Sequence, residues 1–166
     1  MGEMPNSTTM SEPSRPTCLL AGRFAMTEVA ATGAPAYTET LPRVAESARL
    51  ARLLVAHALT VWEQDELTDE AMLVVTELVA NAVDHARGDS IRVTVIRLAE
   101  HRLRVEVVDR SRVQPVLRAA DAHDVAGRGL ALIEAVSVRW GTDLLRWGKR
   151  VWVDLGRTAA GKEGAR

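Results

Sequence analysis

The residues of this chain that could do chemistry fall into two groups. Glu77, Asn81 and His85 stand four apart inside an apolar run from Ala71 to Ala86. On a helix that spacing makes one polar line. A carboxylate in mostly buried surroundings costs free energy unless something pairs with it. Further on, Gly127-Arg128-Gly129 stands at the mouth of another apolar segment. Glycines there let backbone N–H groups approach an anion, a helix N-terminus favours negative charge, and Arg128 adds a cation. Alone, a Gly-x-Gly is a weak signal, met more often as a tight turn without a ligand. No Gly-x4-Gly-Lys-Ser/Thr occurs, so the chain has no P-loop. It also lacks the third glycine of the dinucleotide fingerprint, and a long loop rather than a strand precedes the pair.

The elements that must hold these groups can be read from periodicity. Ala71, Val74, Val75, Leu78, Val79, Ala82, Val83 and Ala86 recur at steps of three and four, which predicts a helix carrying Glu77 and Asn81. Thr68 or Asp69 suits its start and Gly88 its stop. Before it, residues 36–41 alternate like a strand that Pro42 ends. A helix from about Val44 to Trp62 follows, with Ala48, Ala51, Leu54, Val55, Ala58 and Leu59 on one face. His57 rides on this helix with no carboxylate or second histidine at ligand spacing, and reads as a solvated or edge side chain.

After the Glu77 helix come two strands, about 90–98 and 102–109, joined at Ala99-Glu100-His101 with hairpin spacing. Leu103, Val105 and Val107 share one face of the second strand. The same phase puts Asp109 on that face at the strand's end, toward the layer carrying Glu77. Residues 110–126 show no period and contain Pro115, a length that favours a lid or binding loop. An apolar helix from about Leu130 to Val138 follows the glycine pair. Residues 140–147 and 150–155 read as a last hairpin turning at Gly148-Lys149.

Bulk composition narrows the function classes. A chain of 166 residues with 47% hydrophobic and 26% charged residues suits one domain with a sizeable core. Residues 1–35 are expected to be a tail without regular structure, residues 36–156 the domain, and residues 157–166 a second tail. A formal net charge of -1, without a basic arm, gives no argument for direct nucleic-acid or membrane partners. Cys18 is the single cysteine and cannot form an internal disulfide, which fits a reducing, cytoplasmic compartment.

The order Glu77, Asn81, Asp109, long loop, Gly127-x-Gly129 resembles that of the histidine-kinase-like ATPase family. Glu77-Leu-Val-Ala-Asn81-Ala-Val-Asp-His85-Ala looks like the family's N-box, and Gly127-Arg128-Gly129-Leu130 like its second glycine box. The resemblance runs from about Tyr37 to Leu155. It is nearest to the small anti-sigma-factor serine/threonine kinases of bacteria, whose glycine box continues into a Leu-rich helix and a Trp-Gly, here Trp140-Gly141. It implies an α+β fold, a two-layer α/β sandwich whose mixed, mostly antiparallel sheet carries three helices on one face.

The same resemblance assigns roles. Asn81 would hold Mg2+ through its amide oxygen, a ligand type this hard ion requires. Asp109 would accept a hydrogen bond from the adenine amino group of ATP. Gly127, Arg128, Gly129 and Leu130 would close on the phosphates, and Glu77 would be the base that deprotonates the attacking hydroxyl. Without the motif, a helix residue paired with a local arginine is the better reading of Glu77. The implied partners are an anti-sigma-factor antagonist as phosphoryl acceptor, a sigma factor, and a second copy of the chain docked through residues 36–62.

The chain departs from the pattern in two places. The first glycine box normally reads Asp-x-Gly-x-Gly, whereas Asp109 is followed by Arg110-Ser111-Arg112-Val113-Gln114-Pro115. A threonine that often follows the last glycine is replaced in Gly148-Lys149-Arg150. Two functions therefore stand side by side: a Mg-dependent protein kinase of a partner-switching system, and a nucleotide-binding partner-switching module that transfers no phosphate. The first 40 residues supply no phosphoacceptor-histidine dimerisation domain, which argues against a full sensor kinase.

Overall fold

The computed structural model describes residues 28–29, 33–114 and 128–156. In chain order the elements are β1 (Glu28–Val29), β2 (Pro35–Pro42), α1 (Ser47–Trp62), a 3-10 turn (Asp65–Leu67), α2 (Thr68–His85), β3 (Ser90–Ala99), β4 (Arg102–Asp109), α3 (Arg128–Val136), β5 (Arg139–Leu144) and β6 (Lys149–Gly156). The strands make one six-stranded sheet in the order β1-β2-β3-β4-β6-β5. Every described pairing is antiparallel, so the parallel component of a mixed sheet is not found among the described residues. The short β1 falls within the stretch expected to be a tail; two residues are too few to show a period.

Alternation decides which face of the sheet is covered. Leu103, Val105 and Val107 of β4 pair across to Leu155, Val153 and Val151 of β6, and Val105 and Val107 pair to Val95 and Val93 of β3. All are buried and join one core with Leu54, Val55, Ala58 and Leu59 of α1 and Val74, Val75, Leu78 and Val79 of α2. Each such side chain, fully withdrawn from water, contributes about 1.5–3 kcal/mol. The apolar face of α1 is thus consumed by the chain's own core, and its composition ceases to argue for docking through residues 36–62. Tyr37 closes one end of this layer, meeting His57 edge-on at 5.1 Å between ring centres and Trp62 at 5.4 Å.

The ends of α2 differ from the capping expected. Thr68 and Asp69 do not cap it; Leu67 holds the N-cap position without a side-chain hydrogen bond, and the preceding 3-10 turn leads the chain into the helix. At the other end the helix stops at His85, the chain leaves in extended form at Ala86, and Gly88 takes a φ of +83° two residues later. The cap comes from a distant residue. The Arg43 guanidinium donates to the Val83 carbonyl at 2.7 Å and to the Gly88 carbonyl at 2.6 Å, a cation at the negative end of the helix.

On the uncovered face, Asp154 of β6 is fully buried between Arg104 and Arg139. Burial pushes its carboxyl pKa up, but hydrogen bonds and charge from the two arginines outweigh that and hold it below the ordinary value. Burial raises Glu106 on the neighbouring strand instead, only partly countered by Arg150 and Arg104. Trp152 lies under the Arg104 guanidinium at 4.4 Å and across Gly141, where an added Cβ would come within 2.6 Å of the indole. Among the described residues, no helix is long and apolar enough to cross a membrane.

Candidate functional site

On the covered side of the sheet α2 packs against β4 and β6, and α3 packs against α2. Glu77 and Asn81 lie one turn apart on α2, both half-buried, and His85 is exposed at the helix end. Neither Glu77 nor Asn81 has a side-chain hydrogen bond or ion pair among the described residues, so both polar groups are free to meet a ligand. Gly129 stands directly against Glu77: a Cβ built there would overlap carboxylate oxygen Oε2. Gly129 of the glycine pair and Glu77 of the polar line, read separately from the sequence, are brought together at this contact. Leu130 turns into the core. Arg128 opens α3, two residues earlier than the predicted start, and Gly127 lies outside the described residues, as does most of the 110–126 segment.

Asp109 faces the helix layer, as its phase in β4 predicts, and is only 2% exposed. Its surroundings are not those of a bare acceptor. Oδ1 accepts the Ser111 backbone N–H at 2.7 Å, so Arg110 and Ser111 wrap around the carboxylate instead of opening a glycine-rich loop. Lys149 Nζ donates to Oδ1 at 3.0 Å and lies 2.9 Å from Oδ2. Lys149 is the register partner of Asp109 across β4 and β6. The residue read as part of the final turn is instead the first residue of β6 and points inward. Gly148 makes this possible, because a Cβ there would collide with the Asp109 carbonyl. Lys149 is the site residue that motif reading missed. Its signal was present: stepping back by twos from Leu155, Val153 and Val151 arrives at Lys149 on the inner face.

A family model of the histidine kinase-like ATPase domain matches residues 39–143. That span holds Glu77, Asn81, Asp109 and the Gly127–Leu130 box, and covers more than half of the chain. The chain belongs to the histidine kinase-like ATPase family. A comparison with curated proteins finds no match. The family match confirms the α+β ATPase fold and implies ATP binding, while its span stops short of Lys149.

The donor set is compatible with what such a domain binds. No group of three or more His, Cys, Asp or Glu side chains among the described residues could hold a metal by itself. Magnesium rarely needs one: it keeps waters and takes one or two protein oxygens plus phosphate. In this histidine kinase-like ATPase, the half-buried Asn81 amide oxygen has the chemistry of such a ligand. On the covered face of the sheet, Asp109 has the chemistry to accept an exocyclic amine, but its Oδ1 already accepts two hydrogen bonds and Lys149 Nζ lies against Oδ2.

Proposed function

We propose that this histidine kinase-like ATPase is an anti-sigma regulatory factor that transfers phosphate from ATP to a serine or threonine of a small anti-sigma-antagonist protein. A sigma factor and a second copy of the chain are the further partners in this reading, and the cytoplasm its compartment. The observation that carries it is the Gly129–Glu77 contact. It sets a half-buried, internally unpaired carboxylate beside the glycine segment that opens α3. When bound, Mg2+ supplies charge neutralisation at the phosphates, and in this reading the Asn81 amide oxygen holds it. Glu77 then receives the proton of the attacking hydroxyl. The α3 N-terminus presents backbone N–H groups toward an anion.

The rival reading is a nucleotide-dependent binding module without transfer. It is favoured by the Asp109–Lys149 pair and by Arg110-Ser111-Arg112 in place of flexible glycines. Radiolabelled transfer from ATP to candidate antagonist proteins separates the two. Glu77→Gln preserves shape but cannot take the proton, so transfer should fall by about 10²–10⁴-fold while the partner still binds. Transfer by Glu77→Gln at the wild-type rate would remove the catalytic role, and no transfer by wild type would leave the binding module.

A further inference from the structure

Asp109 and Lys149 form a buried ion pair where the ATP-binding reading needs an open carboxylate. The pair is shut away from solvent, with side chains 2% and 6% exposed. An ionised aspartate repels phosphate, so the ligand group it can take is a donor such as the exocyclic amine of a nucleobase. Oδ1 accepts hydrogen bonds from Ser111 N–H and from Lys149 Nζ, and the same ammonium lies 2.9 Å from Oδ2. A donor arriving from a base therefore meets the lysine ammonium in its place. Lysine is a compact charge on a flexible four-carbon stem, and Lys149 stands at the first position of β6.

We propose that Lys149 is a built-in competitor for the nucleobase: it occupies Asp109 in the free protein and must leave before a base is recognised there. Base binding and the ion pair are then mutually exclusive, and the affinity for ATP is set by the cost of breaking the pair. This rests on the ATP-binding reading above and adds to it a residue that tunes nucleotide affinity. A buried charge left without its partner is costly, so in the chain lacking Lys149 the carboxylate gains most from an incoming amine.

Calorimetric titration of the full chain tests this with two ligands, MgATP and magnesium tripolyphosphate, which carries the phosphates without a base. The variants are Lys149→Thr and, should that one fold poorly, Lys149→Met, which keeps the length of the stem without a donor to Asp109. The expected result is that ATP binds at least about tenfold tighter to either variant, the size of one charged hydrogen bond. Tripolyphosphate affinity should be unchanged. In the double variant Asp109→Asn, Lys149→Thr the gain for ATP should disappear. Equal or weaker ATP binding by folded single variants overturns the competitor role and leaves the ATP reading intact. Parallel gains for ATP and tripolyphosphate also overturn it, since the effect would not reside at the base. If no form binds either ligand at millimolar concentration, the ATP reading itself falls, and the competitor role with it.

Discussion

Replacing Gly129 by alanine should separate what the contact with Glu77 does for folding from what helix propensity does. Gly129 sits in the first turn of α3, and alanine there gains about 1 kcal/mol over glycine in helix preference. The new methyl overlaps Glu77 Oε2, so the carboxylate must retreat by about 1 Å to reach ordinary contact distance. Moving a side chain off its preferred rotamer costs about 0.5–1.5 kcal/mol. The two terms nearly cancel, and Gly129→Ala alone should change stability by less than about 1 kcal/mol. In a Glu77→Ala background nothing stands in the way, and the same change should stabilise by about 1 kcal/mol. Urea denaturation of the four proteins gives the coupling directly, expected at about 0.5–1.5 kcal/mol. If Gly129→Ala stabilises equally in both backgrounds, the glycine box does not press on Glu77. The contact that carries the functional reading would then be wrong.

Two further expectations concern the frame around the site. Arg43→Met removes two charged donors, one from the Val83 carbonyl in the last turn of α2 and one from the Gly88 carbonyl beyond it, and should cost about 1–3 kcal/mol in urea denaturation. Asp154 has its folded-state pKa held below its unfolded value of about 3.9. Its contribution is therefore complete above that unfolded value and is lost as pH falls through the folded one. Asp154→Asn should destabilise by about 1–3 kcal/mol at neutral pH, and the difference from wild type should shrink in denaturation curves taken at progressively lower pH below that of the free carboxyl.

The parts of the structure legible in the sequence are those set by a repeating period. α2, the β3–β4 hairpin and the inward direction of Asp109 follow from steps of four and of two, because one buried face imposes the same constraint at every repeat. The ends of elements were less legible. Thr68 and Asp69 are good capping types, yet the 3-10 turn at Asp65–Leu67 already fixes the entry to α2, and the exit is capped by Arg43 from before α1. Spatial capping of this kind leaves no mark in local sequence. Lys149 was misplaced for a different reason. Next to Gly148 it has the look of a turn residue, and a charged side chain weakens the alternation that would have placed it in β6. The partner that makes its burial tolerable lies far away in sequence, on β4.

The two carboxylates of the cleft are in opposite states, and that difference bears on what the family relation can transmit. Glu77 is half-buried, stands directly against Gly129, and has no side-chain hydrogen bond or ion pair among the described residues. A group in that state keeps its lone pairs for a proton or a ligand. Asp109 is almost wholly buried and carries bonds from Ser111 and Lys149. A group in that state acts first as a fastener between β4 and β6, and as a ligand-binding acceptor only once its cation departs. The family match covers both residues but ends before the lysine that sets the second one's state. A role carried over by position therefore has firmer physical ground for Glu77 than for Asp109. Substitutions at Glu77 and at Asp109 should consequently have independent effects, because the contacts of the two groups lie on separate pairs of elements: α2 with α3, and β4 with β6.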